Sequence, residues 1–376
     1  MRRMMLLVGA VVVMAMVAFV AGASGSAGSG QARWVIRDLG TLGGESSSMA
    51  LNERGQVVGV SATGKGSNHA FLWEKGTMRD LGTLGGTGSK AVAINDSGEI
   101  VGVSFVRASP RAVLWEQGQA TALGTLGGKR SAAVAINAGG QVVGWGATES
   151  GDTHAFLWED GTMRDLGTLG GRNSAAVSIN DRGQVVGSSD TEAGSTHAFL
   201  WADGAMRDLG SLRTGQGSKA VAVNGKGQVV GVSAGHSFLW ENGKMRDLGT
   251  LGGPTSQPVA INDLGEVVGT ADTKIKNAVG SAWIAHAFLW KNGKMRDLGS
   301  RRKSMFPSRA DAVNDLGQIV GRDVEGGFVW ESGNLSDLGR VQVQRLALND
   351  HGQVIGTAWV PKASAAHAVL WTLRSG

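Results

Sequence analysis

Six of the seven histidines, His69, His154, His197, His236, His286 and His367, recur at one position of an evenly spaced pattern. Imidazoles arranged so regularly could form a metal site. They would converge, however, only if the strand carrying them were the innermost of its unit. A local partner offers simpler chemistry. An aspartate lies eleven residues beyond five of them, as Asp165 does beyond His154. A two-residue turn between the two would set them diagonally across a hairpin, within reach of each other. Where Arg111 replaces the histidine, Ala122 replaces the aspartate, although Gly326 keeps its Asp337. The pattern reads as a structural His–Asp pair in each unit.

Other chemistry is sparse. Gly231-Val232-Ser233-Ala234-Gly235, followed by His236, matches a nucleophile elbow. That motif needs a strand-to-helix turn, and this one joins two strands of a repeat, where so many glycines make a chance match expected. Recurring Asn-Asp turns lack the alternating acidic ladder of a calcium loop. No two carboxylates stand apart from the repeat as an acid and a base. The chain has no cysteine, which excludes a disulfide scaffold, thiolate zinc sites, iron–sulfur ligation and thiol catalysis. No catalytic residue, metal or cofactor is indicated.

The elements that carry these residues come from a repeat. Three anchors recur in fixed order after residue 37. Asp-Leu-Gly begins at Asp38, Asp80, Asp165, Asp208, Asp247, Asp297 and Asp337, with Ala122 once in place of the aspartate. An asparagine turn, at Asn52, Asn95, Asn137, Asn180, Asn224, Asn262, Asn314 and Asn349, leads into Gly-(Gln/Glu)-apolar-apolar-Gly. A Phe-Leu-Trp type run ends at Trp73, Trp115, Trp158, Trp201, Trp240, Trp290, Trp330 and Trp371. Self-similarity at about 42 residues is the mark of a repeat architecture. Each copy reads as four strands, A to D. In the fourth copy Ala175–Ile179 is strand A, Asn180-Asp181-Arg182-Gly183 a type I turn with a glycine bulge, and Gln184–Gly187 the start of B. His154–Trp158 is a strand C, and Asp160-Gly161 signals a two-residue hairpin into strand D at Met163. Two hairpins per copy exclude a parallel β-helix and match a propeller blade. The tryptophans, Trp73, Trp158 and Trp201 among them, share a face with the phenylalanine two positions earlier and are expected to pack between blades. Arginines beside the Asp-Leu-Gly aspartate, such as Arg164 and Arg207, read as a solvated strand edge.

The expected fold is therefore all-β, a propeller of about eight four-stranded blades over residues 34–376. Its last copy lacks a strand D, whereas Trp34–Gly40 is a strand D with no A, B or C before it. The N-terminal strand is expected to complete the final blade and close the ring.

Composition agrees. The 61 glycines among 376 residues far exceed the usual share of about 7%. They lack the period of collagen, and 42% hydrophobic residues are too many for a disordered chain. Arg2-Arg3, an apolar run from Met4 to Val20 and Ala21-Gly22-Ala23 form an export signal over residues 1–23, with a Ser/Gly-rich linker at 24–33. The expected location is secreted, periplasmic or cell-surface, with a membrane contact only if this segment stays uncleaved. The net charge of +5 comes mostly from repeated arginines and is not a nucleic-acid footprint.

The runs His69-Ala70-Phe71, His154-Ala155-Phe156, His197-Ala198-Phe199 and His286-Ala287-Phe288, with Asp-Leu-Gly-Thr-Leu-Gly-Gly at 38–44, 80–86, 165–171 and 247–253, resemble the HAF repeats of extracellular bacterial proteins. The resemblance covers nearly all of the chain after the signal. It implies an exported bacterial β-repeat protein and no particular activity.

Function is then sought where the repeat breaks. The B–C loops and D–A connections share one face of the disc, and only they vary strongly in length. The longest B–C loop, Thr270 to Ala285, carries Lys274, Lys276 and Trp283. The neighbouring D–A connection carries Arg301, Arg302, Lys303 and Arg309, and Trp145 and Trp359 follow strand B in their copies. Variable loops on a rigid scaffold are where binding usually lies. A basic and aromatic patch suits an anionic glycan or an acidic protein surface. The expectation is a monomeric, non-enzymatic binding module. The alternative is a propeller-type lyase or hydrolase of extracellular polysaccharide.

Overall fold

A computed structural model describes residues 33–277, 280–299, 305–339, 341–360 and 365–374. The export segment, nearly all of the linker and Arg301, Arg302 and Lys303 lie outside the described residues. Within them, eight separate four-stranded antiparallel sheets follow one another along the chain. The protein is an eight-bladed β-propeller. Blade 3 is typical, with strands A Gly127–Ile136, B Val142–Thr148, C Thr153–Glu159 and D Thr162–Asp165. Blade 8 takes A Val343–Leu348, B Val354–Ala358 and C His367–Arg374 from the C-terminal end. Its fourth strand is Arg33–Asp38, paired antiparallel with strand C from Arg33↔Arg374 to Asp38↔Val369. The expected closure by the N-terminal strand is present.

Local chemistry accounts for each blade. The A–B turn of blade 4 closes with the amide of Gly183 donating to the carbonyl of Asn180, and Gly183 has φ +73°, a left-handed value that glycine adopts without a Cβ penalty. The C–D turn of blade 3 holds both Asp160 and Gly161 at positive φ, which is the type I′ geometry whose twist matches a two-residue hairpin. Glycine at the centre of strand B has a different reason. A Cβ on Gly187 would stand 2.0 Å from the carbonyl oxygen of Ala175 and 2.8 Å from the ring of Phe199. The phenylalanine ring fills the space over that glycine, and any side chain there would displace it.

The core lies between blades. Val58, Ala70 and Leu72 of blade 1 pack against Ala91, Ile100, Val113 and Trp115 of blade 2, and comparable clusters recur around the ring. Strand A reaches further than its sequence suggested. Gly170 already pairs with Thr191, so the Thr-Leu-Gly-Gly run enters the strand instead of forming a loop before it.

Side-chain ties then join blade to blade. Ser174 Oγ donates to the carbonyl of Gly167 and accepts from the amide of Ala155 in the preceding blade. Six other buried serines repeat this tie. The arginines expected to form a solvated edge are exposed; Arg79 pairs with Glu74, and the others, with Arg37, also cover a ring. Arg37, Arg164, Arg207, Arg246 and Arg296 lie 5.2 to 5.7 Å over the indole of the following blade, as Arg207 does over Trp240. Their charge stays wet while the guanidinium plane covers the ring.

Candidate functional site

All six His–Asp pairs form. Nδ1 of His154 is 2.8 Å from Asp165, and the same contact joins His69 to Asp80, His236 to Asp247 and, at 2.9 Å, His197 to Asp208 and His286 to Asp297. The sixth, His367 with Asp38, bridges the two ends of the chain across the closure. Each aspartate also accepts the amide two residues on, as Asp165 does from Gly167 at 2.7 Å. The pairs are one per blade and do not meet. Among the described residues no group of three or more His, Asp or Glu could hold a metal ion.

The innermost strands meet at the axis. Nδ2 of each repeat asparagine donates to the backbone carbonyl of the next, from Asn52 to Asn95 and onward, until Asn349 donates back to Asn52. Eight bonds of 2.8 to 3.1 Å thus close a ring. The same Nδ2 also meets a side-chain oxygen four residues on, as Asn180 meets Gln184. The position after the asparagine carries Glu53, Asp96, Asp181, Asp263, Asp315 or Asp350 in six blades, and each caps a backbone amide of the preceding blade. These carboxylates line an axial cavity of about 460 Å³. Their hydrogen bonds are spent on holding turns together.

The opposite face carries the departures from the repeat. In blade 6 the expected loop from Thr270 to Ala285 is mostly hairpin. Strand B runs to Lys276 and strand C starts at Trp283, with the two paired. Strand pairing continued because the insertion keeps alternating side chains. Lys276 Nζ sits 4.8 Å over the indole of Trp283, and the stem of Lys274 lies against Gly252. Trp145 does not follow strand B. It lies inside that strand in blade 3, half-buried beneath Arg130, because pairing extends to Thr148. Trp359 does follow strand B of blade 8 and is 49% exposed.

Two clefts flank the B–C turn of blade 7 on this face. One of about 500 Å³, between blades 6 and 7, is lined by Thr270, Pro307, Arg309, Arg322 and Val324. Thr270 Oγ1 is buried there with no hydrogen-bond partner. The other, of about 700 Å³, lies between blades 7 and 8 and includes Trp359. Arg309 and Trp359 therefore sit at neighbouring clefts, while Lys274, Lys276 and Trp283 form a separate projecting hairpin. Beneath the clefts, Arg322 Nε is 3.0 Å from Asp311 in a pair that other blades lack. Burial pushes the Asp311 carboxyl above its ordinary value, against the pull of Arg322 and Arg309. This pair was missed in the sequence, although a charged residue at two strand positions that are apolar or small elsewhere was a visible signal.

No known protein family matches this chain, and no curated protein does. Solved structures do. The β-propeller domain of the Trilobed protease from Pyrococcus furiosus is 9% identical, with a TM-score of 0.48 over 89% of this chain and 96% of that domain. A puromycin-hydrolyzing peptidase of Mycobacterium tuberculosis is 12% identical, with a TM-score of 0.47 over 87% of this chain. The chain spans 61% of that peptidase's length. The extracellular domain of a two-component system from B. thetaiotaomicron is 8% identical, with a TM-score of 0.42, over 92% of this chain and 40% of that one. Identities this low bear on fold alone, and the fold rests on the eight sheets themselves.

Proposed function

We propose that the protein is an exported, non-enzymatic propeller that binds an extracellular glycan or protein through its B–C and D–A face. One observation supports this most. The A–B turns keep one geometry and one hydrogen-bonded ring throughout, while the long hairpin of blade 6 and both clefts beside blade 7 lie on the other face. A scaffold repeated for packing has no need of such local exceptions, and variable loops on rigid elements are the usual seat of recognition. The cations expected there include Arg309 and the outlying Arg301, Arg302 and Lys303.

The export-competent chain tells its own location: N-terminal sequencing of the secreted product is expected to find cleavage after Ala23. Binding is tested with that product on an array of glycans and extracellular proteins. Trp283→Ala or Trp359→Ala is expected to weaken a hit about tenfold. Arg54→Ala, on the A–B turn face, should leave it unchanged. Loss of binding in Arg54→Ala alone would place recognition on the wrong face, and cleavage of a polymer substrate would overturn the non-enzymatic reading.

A further inference from the structure

Seven blade junctions share the serine tie, and the eighth does not. Between blades 7 and 8, Val343 stands where the serine would be, Gly326 where the histidine would be, and Ser336 where the stacking arginine would be. Strand A of blade 8 repacks in response. Its bulge, which elsewhere skips the third residue before the asparagine, here skips the fourth, Arg345. Leu346, 3% exposed, then packs against Gly327 and Gly356. Arg345 is left exposed at φ +53°, the one non-glycine inside a strand with positive φ among the described residues. Strain of this kind clusters at functional sites. Leu346 accounts for the displaced bulge. It gives no reason for an arginine at a position where glycine would be unstrained.

Arg345 belongs to a set. Strand A is the innermost of each blade, and its exposed side chains open on the axial channel and on the inner ends of the clefts between blades. The residue after the tie serine is Lys90 in blade 2, Lys219 in blade 5 and Arg309 in blade 7. Lys219 and Arg309 are exposed and Lys90 is half-buried. Lys90 and Arg309 also border clefts toward the preceding blade. Blade 1 separates Lys90 from Arg345, so the two face each other only across the channel. Burial, with the charge of Arg345, holds the Lys90 ammonium below its ordinary value. Among the described residues none of the four cations forms an ion pair with a carboxylate, and the remaining residues include no Asp or Glu. Two carboxylates lie on these strands: Glu45 near the start of strand A in blade 1, and Asp311, which Arg322 compensates. Each strand A runs from this end to the asparagine ring, where six carboxylates line the opposite mouth. The channel is therefore basic toward the B–C face and acidic toward the A–B face.

We infer that the basic mouth of the axial channel receives the anionic end of an acidic polysaccharide, with Lys90, Lys219, Arg309 and Arg345 as its counter-charges. Walls that carry one sign of charge concentrate the opposite sign between them. The four cations stand on blades 2, 5, 7 and 8, around the axis, so a ligand that meets them all carries several charges across the channel. Carboxylate or sulfate groups repeated along a sugar chain satisfy that demand, and both pair with lysine and arginine. The acidic far mouth repels the same groups, so the chain enters from one side and stops. The inference rests on the proposed binding role of the B–C and D–A face, and moves its centre from the loops of blades 6 and 7 to the axis.

The test is calorimetric titration of the secreted chain with hexagalacturonate and sulfated maltohexaose, set beside plain maltohexaose and hexaglutamate. At least one of the two acidic sugars should bind, more weakly at higher salt, and which one binds tells carboxylate from sulfate. Arg345→Gly should weaken it about tenfold while the melting temperature holds or rises, because glycine adopts the same φ without strain. Lys90→Met and Lys219→Met, on blades remote from the variable loops, should each weaken it about three- to tenfold. Acidic-sugar binding that survives Arg345→Gly, or survives both lysine variants, would overturn the axial site and leave the binding role of the face standing. Equal or tighter binding of maltohexaose or hexaglutamate would do the same, as would binding to protein ligands alone. Failure to bind any glycan or protein would overturn both.

Discussion

At the scale of the residue, the repeat asparagine does more than close a turn. Asn180 donates to Gln184 and to the carbonyl of Asn224, and its Oδ1 accepts the amides of Arg182 and Gln184. Asn180→Ala would leave these buried groups unpaired, so a loss of about 2–3 kcal/mol is expected in urea unfolding. The ring predicts a comparable cost at any of its eight positions. The His–Asp pair makes a separate prediction. Burial of Asp297 opposes its ionisation, but the hydrogen bonds from His286 and the Gly299 amide, with the histidine's charge, hold its carboxyl below the ordinary value. A carboxyl depressed in the folded state contributes stability above the unfolded value, and that contribution fades as pH falls through the folded one. Asp297→Asn should therefore lose stability at pH 6 and show a shallower decline on acidification. Melting curves from pH 6 down to pH 3 would read both. An unchanged acid slope would remove the pair from the pH response.

At the scale of the element, blade 7 carries a pair that the others replace with uncharged residues. Asp311 and Arg322 have side chains 10% and 25% exposed, and each compensates the other. Removing one leaves a poorly solvated charge, whereas removing both can be neutral or stabilising. Arg322→Val alone is expected to cost about 2–4 kcal/mol, and Asp311→Val with Arg322→Val to recover most of it. A double-mutant cycle in urea measures the coupling. Because burial raises the Asp311 carboxyl, the folded state holds that proton more tightly than the unfolded chain. This group's contribution to stability therefore falls as pH rises past the ordinary carboxylate range, and the double valine variant should lack that slope. Much of the blade could be read from its residues. Asp160-Gly161 and Asn180–Gly183 named their turns, since their chemistry is local. The extent of strand B in blade 6 could not be, because pairing of Lys276 with Trp283 depends on which partner strand lies opposite.

At the scale of the whole molecule, closure depends on six residues. Arg33–Asp38 completes blade 8, Asp38 meets His367, and Arg37 covers Trp73 in blade 1. Deleting residues 33–38 exposes the edge of strand C in blade 8 and removes a tie on each side of the seam. The melting temperature of the truncated chain is expected to fall by several degrees, with association through the free edge visible in sedimentation. Joining residue 374 to residue 33 by a short linker and opening the chain at the exposed B–C turn of blade 3, between Gly151 and Asp152, should preserve the fold, since Arg33 and Arg374 are already paired. A permutant that fails to fold would mean that the N-terminal strand does more than close the ring.

The repeat itself determined the number of blades, their four strands, the turn types and the His–Asp pairs, because each follows from residues within one copy or from the count of copies. Arg207 looked like an exposed edge, Ser174 like a strand filler and Asn180 like a turn residue for one common reason. Their partners lie in the neighbouring blade, 19 to 44 residues away in sequence, and become neighbours only when the ring is assembled. The cleft beside Trp359 belongs to that same class. It exists because two blades meet without their usual ties, and a gap between surfaces has no residues of its own in the sequence.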